Sequence, residues 1–97
     1  MRIFAKKTLR LFWQKHPDSE QPLKIWYKDA KNAKWRNFSD IKTYSRSVSI
    51  IGNDRVIFNI KGNKYRLVVR VDFEWQVMLI KFIGLHKDYD RIKSKFV

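Results

Sequence analysis

The chain has 97 residues, 44% of them hydrophobic and 15% aromatic, which suits one folded domain with one core and argues against disorder. Cysteine is absent, so disulfides and thiolate sites are excluded. Lys and Arg number 22 against 9 acidic residues, a net charge of +13 that points to a polyanionic partner such as nucleic acid, an acidic protein or an anionic surface.

In chain order, Arg2 to Phe4 reads as a short strand and Lys6 to Lys15 as a helix, with Leu9, Phe12 and Trp13 at helical spacing. The basic start lacks the uninterrupted apolar core and small-residue cleavage site of a signal peptide. His16-Pro17-Asp18 is a break. A second helix is expected from Ser19 as N-cap, which puts Pro22 in the first turn, where its missing N–H costs nothing. Leu23, Trp26, Tyr27 and Ala30 form its apolar stripe; Lys24, Lys28 and Lys31 make a solvated face. Asn37 to Tyr44 predicts one short turn of helix capped by Ser39 or Asp40.

From Arg55 the period becomes two. Val56, Phe58 and Ile60 alternate with Arg55, Ile57, Asn59 and Lys61; after Gly62-Asn63, Tyr65, Leu67, Val69 and Val71 alternate with Lys64, Arg66, Val68 and Arg70. Gly-Asn between such runs signals a hairpin with a type II′ turn. A third strand is expected from Trp75 to about Ile83, ended by Gly84, then a helix from His86 to Lys95. The apolar run Trp75 to Ile83 is too short for a membrane span and contains Lys81. All four tryptophans, Trp13, Trp26, Trp35 and Trp75, read as core residues. The expected fold is a single α+β domain over residues 1–97: a short N-terminal strand, two helices, an antiparallel three-stranded meander packed on them, and a short C-terminal helix.

A two-residue loop fixes the hairpin register: Lys61 faces Lys64, Asn59 faces Arg66, Ile57 faces Val68 and Arg55 faces Arg70. Opposed residues project to one side. One hairpin face is then apolar, and the other collects Arg55, Asn59, Lys61, Lys64, Arg66 and Arg70 without a carboxylate of its own. Like charges opposite one another cost up to about 1 kcal/mol per pair. A face that carries two such pairs is better suited to phosphates than to stability, although an edge strand protected by lysines accounts for Lys61 or Lys64 alone. His86, Tyr89 and Asp90 fall at i, i+3 and i+4, on one side of the last helix. A histidine beside a carboxylate suits general acid or base chemistry. Two histidines and no cysteine argue against a structural zinc site, three glycines leave no phosphate-cradling loop, and no Gly-x-Ser-x-Gly elbow is present.

The segments RIFAKKTLRLFW, LKIWYKDAKNAKW, NFSDIK, VIFNIKGNKYRLVV and FIGLHKDYD, in that order, resemble the HigB toxins of the RelE superfamily, over nearly the whole chain. With no metal-ligand cluster in the sequence, cleavage is read as metal-independent attack by the RNA's own 2′-hydroxyl; the resemblance implies a RelE-like α+β fold and endonuclease cleavage of mRNA on translating ribosomes. It also implies a cytoplasmic protein without cofactor, neutralised by a HigA-type helix-turn-helix antitoxin. Asn59, Lys61, Lys64 and Arg66 sit in the matching strand motif, and His86, Tyr89 and Asp90 in the C-terminal one. Arg66, Lys61, Lys64, His86, Tyr89 and Asp90 are thereby candidate catalytic residues; Asn59, Arg55 and Arg70 are candidates for RNA binding. One departure is Leu85, where the family pattern has Thr, so a hydroxyl contact is missing. Two rival functions use the same residues. One is a noncatalytic RNA-binding module. The other is a basic protein whose charge serves only to bind an acidic protein.

Overall fold

Two hydrophobic periods, 3.6 and then 2, dictate a helical layer and a sheet, and the computed structural model contains both. It describes residues 1–92. Strand β1 (Arg2–Phe4) leads into α1 (Lys6–Lys15), a 3-10 turn at Pro17–Ser19, α2 (Glu20–Asn32) and α3 (Phe38–Tyr44). Strands β2 (Ser49–Ile51), β3 (Arg55–Ile60), β4 (Tyr65–Asp72) and β5 (Val77–Leu85) follow, then α4 (His86–Ile92). Residues 93–95 of the helix expected to Lys95 lie outside the described residues.

The sheet has five strands in the order β1-β5-β4-β3-β2; β1 runs parallel to β5 and the other neighbours are antiparallel. The expected meander is therefore its centre. Strand β2 was not foreseen: Ile50 pairs with Val56 across the Gly52-Asn53-Asp54 turn. Gly52 there has φ +61, a left-handed conformation that favours glycine.

Leu9 of α1 and Leu23, Trp26 and Ala30 of α2 are buried against Val56, Phe58, Ile60, Tyr65, Leu67 and Val69, the expected apolar face of the hairpin. Tyr27 packs at the edge of this core. Ser19 precedes α2, but its hydroxyl donates back to the His16 carbonyl, 2.7 Å away, because the 3-10 turn already runs into the helix. Three local expectations are corrected. Helix α3 is capped by Asn37, whose side chain accepts from the Asp40 N–H at 2.9 Å, while Asp40 Oδ2 accepts from the Arg36 N–H at 2.9 Å. Asp40 thus closes a reciprocal cap rather than starting one. Strand β5 begins at Val77 and continues through Gly84, because the Trp75 N–H turns onto the Asp72 side chain and ends the preceding loop. Trp75 sits in that turn and is 72% exposed, whereas Trp26 and Trp35 are buried and Trp13 lies at the core's edge.

The second sheet face is not wholly polar. Ile57, Val68 and Tyr89 form a small separate core with Ile51 and Phe82 at its margin, so α4 docks on the face opposite α1–α3. Gly84 permits this. A Cβ there would stand 2.6 Å from Cζ of Phe82, whose ring lies over the glycine and faces Tyr89 at 6.3 Å.

Candidate active site

The hairpin register is the expected one: Asn59 opposes Arg66, Ile57 opposes Val68, and Arg55 opposes Arg70. Strand β5 adds Gly84 on the other side of Arg66. Because β5 passes directly into α4, this ladder delivers His86 beside Arg66. Nη2 of Arg66 lies 3.0 Å from Nε2 of His86, and its guanidinium sits 5.6 Å from the centre of the Tyr89 ring. Oδ2 of Asp90 lies 3.4 Å from the same His86 nitrogen. Four residues from two distant stretches of sequence, Arg66, His86, Tyr89 and Asp90, thus meet at one end of the sheet.

Arginine has only donors, so a hydrogen bond from Arg66 requires the lone pair of Nε2 and hence a neutral ring protonated on Nδ1. Asp90 can pair with that nitrogen only when it carries a proton. Guanidinium and carboxylate therefore address one nitrogen in its two protonation states, which differs from a carboxylate that orients the ring through Nδ1. Tyr89 is buried on Ile57 and Val68 and lies under Arg66. Burial pushes its hydroxyl pKa upward, and the ring packs the site rather than offering a free stacking surface. Beside it, Asn59 donates to the Ser47 carbonyl at 3.1 Å. Asn59 Oδ1 and Arg66 Nε are buried and have no hydrogen-bond partner among the described residues. Buried groups left so cost about 1–3 kcal/mol each unless something outside the chain meets them.

The other candidates are placed differently. Lys61 and Lys64 flank the Gly62-Asn63 turn, closed by the Lys64 N–H donating to the Lys61 carbonyl at 3.3 Å. Lys61 (φ 53) and Gly62 (φ 64) are both left-handed, which twists the hairpin tip out of its alternation. Both lysine side chains reach the helical layer, where Nζ of Lys61 and Lys64 lie 3.2 and 2.6 Å from Oδ2 of Asp18. The Tyr65 hydroxyl donates to Oδ1 of Asp18 at 2.5 Å. These bonds, from Lys64 first and then Tyr65, hold the Asp18 carboxyl well below its usual range. Asp18 in turn raises the Lys64 pKa. At the other end, Arg70 Nε lies 3.1 Å and Arg55 Nε 3.7 Å from the two oxygens of Asp54. The cationic face is therefore not free of carboxylate in three dimensions. Asp54 enters from the β2–β3 turn to relieve the opposed arginines, and Asp18 serves the lysines. Asp54 stands next to Arg55 in sequence and could have been foreseen from that adjacency; Asp18, more than forty residues from the lysines, carried no local signal.

Residues 19–92 match the HigB toxin family, described as the RelE-like toxic component of a toxin-antitoxin system. The chain belongs to the HigB toxin family. The match spans every residue of the Arg66–His86–Asp90 group and leaves out Asp18. No curated protein matches the chain. As the toxin of such a system it has an antitoxin as partner. Among the described residues of this HigB-family toxin, no helix is long and apolar enough to cross a membrane.

Proposed function

We propose that this HigB-family toxin is an endoribonuclease that cleaves mRNA on translating ribosomes in the cytoplasm, without a metal ion, and is held in check by a HigA-type helix-turn-helix antitoxin. The observation that carries the reading is the contact of Arg66 with His86, set beside Asp90 on a chain of charge +13. The RNA supplies its own nucleophile, the 2′-hydroxyl, which attacks the adjacent phosphorus while the bond to the 5′-oxygen breaks. Arg66 gives up its bond to His86 and donates to the phosphate oxygens, where negative charge grows. Preorganised donors of this kind are worth about 2.7–4 kcal/mol. Once Arg66 is engaged, His86 Nε2 is free to take the 2′-hydroxyl proton, the imidazolium so formed is stabilised by Asp90, and the departing 5′-oxygen takes a proton from water, which leaves a cyclic phosphate and a 5′-hydroxyl. Lys61 and Lys64, when exchanged from Asp18, add positive charge for the flanking phosphates, as do Arg55 and Arg70; Asn59 meets the nucleotide beside Arg66. Tyr89 acts from beneath by fixing the guanidinium.

Expression of the chain alone in growing cells tests the reading. It predicts growth arrest with cut transcripts, abolished by Arg66→Ala and by His86→Ala in folded protein. A noncatalytic RNA-binding module would arrest growth, if at all, with transcripts intact.

A further inference from the structure

We infer that Asp18 is an internal counter-ion that masks Lys61 and Lys64 in the free toxin, and that RNA phosphate must exchange with it to engage them. The inference rests on the proposed RNA-cleaving function. Asp18 belongs to the break between α1 and α2, whereas both lysines belong to the β3–β4 tip. Its Oδ2 accepts from both ammonium groups, and its Oδ1 is held by Tyr65. Tyr65 is buried, wedged edge-on against Phe12 at 5.2 Å and near His16 at 5.6 Å, so the carboxylate is fixed by the core and not by a flexible surface side chain. The lysines, in contrast, are about half exposed, at 47% and 50%, with donors still facing water.

The asymmetry decides what moves. Asp18 stays anchored while the two lysine stems swing. The Lys64 backbone carbonyl accepts from the His86 N–H at 3.3 Å, so the stem of Lys64 starts beside the proposed catalytic group even though its ammonium is held on the far side of the tip. A phosphate near His86 is therefore within the swing of Lys64. Exposed ion pairs are weak, and a polyanion with several phosphates outcompetes one carboxylate. The mask lowers the affinity of an otherwise strongly cationic surface for RNA in general, so that only a strand seated along the whole site recruits the lysines.

The test uses the whole chain and a single-stranded RNA oligonucleotide that is 2′-O-methylated throughout and so cannot be cut. Asp18→Asn keeps an acceptor for Tyr65 but removes the charge. It is expected to bind the oligonucleotide roughly 2–30-fold more tightly, the release of two exposed ion pairs. The slope of log K against log salt should stay nearly the same, because the same two lysine–phosphate contacts form in both complexes once Asp18 is displaced. Adding Lys61→Gln and Lys64→Gln to Asp18→Asn should remove the whole gain. Unchanged or weaker binding by a folded Asp18→Asn protein overturns the inference. If Asp18→Asn does not fold, Lys61→Gln/Lys64→Gln alone decides: lysines that exchange from Asp18 to phosphate predict a slope shallower by about 1.4, and an unchanged slope overturns the exchange. Binding by the unaltered toxin together with Arg66-dependent cleavage tests the underlying function separately. A toxin that binds no RNA at all refutes both.

Discussion

Replacing Gly84 with Ala probes the seam between the sheet and the proposed active site. The added Cβ would lie 2.6 Å from Phe82 Cζ and 3.2 Å from both Cε atoms. Carbon atoms rest at about 3.5–4.0 Å, so the ring must retreat by about 1 Å. Overpacking of this size costs about 1–3 kcal/mol, partly offset by the roughly 0.5–1 kcal/mol that Ala gains over Gly within a strand. The net loss is about 1 kcal/mol. For a domain of this size, that lowers Tm by roughly 4–8 °C. The displacement has a direction as well as a size: Phe82 borders the core of Ile57, Val68 and Tyr89, so its movement loosens α4 and with it His86. Thermal unfolding measured by circular dichroism, with RNA cleavage measured on the same preparation below the transition, separates the two effects. Cleavage should fall at temperatures where the variant remains folded. A variant with unchanged or raised Tm and full cleavage would show that Phe82 does not pin the helix.

Three further outcomes follow from local contacts. Asn37→Ala removes the acceptor for the Asp40 N–H and should cost about 1 kcal/mol in denaturant unfolding, with cleavage unchanged. Asp18 has a lowered pKa in the folded state, so its contribution to stability is present above its ordinary value of 3.8 and disappears as pH falls through the lowered one. The stability difference between the unaltered chain and Asp18→Asn should accordingly be constant at neutral pH and shrink in urea titrations below about pH 3.8. Trp75→Ala should change stability by no more than about 0.5 kcal/mol, since the indole is 72% exposed; a larger loss would show that the ring is packed.

Much of this was legible because the relevant signals are local. The helical stripe Leu23, Trp26, Ala30 and the alternation of Val56, Phe58 and Ile60 each point to one buried face, and the core contains them. The Gly62-Asn63 turn set the register, which brought Asn59 opposite Arg66. The spacing of His86, Tyr89 and Asp90 placed them on one side of a helix, and that helix meets Arg66. What escaped depends on contacts between distant segments or on a side chain's direction. Trp75 was expected in the core because tryptophans usually are, but a turn closed on Asp72 leaves it outside. Strand β2 is only three residues and has no alternation of its own to display. The left-handed Lys61 breaks the face assignment at the hairpin tip, and nothing near it in sequence announces that its charge will be met by Asp18.

The central claim is that RNA supplies its own nucleophile to a site built around Arg66 and His86. Single-turnover cleavage of an RNA in which only the nucleotide 5′ to the cut is replaced by its deoxy form tests it most directly, run with EDTA and, where ribosomes are required, with their integrity maintained by other means. Cleavage of the unmodified RNA should persist in EDTA and leave a 5′-hydroxyl and a cyclic or 3′-phosphate. The deoxy substrate should bind within a few fold and remain uncut, and Arg66→Ala should slow cleavage of the unmodified RNA roughly 100–1,000-fold, the loss of one preorganised donor. Cleavage of the deoxy substrate at the normal rate would contradict the mechanism.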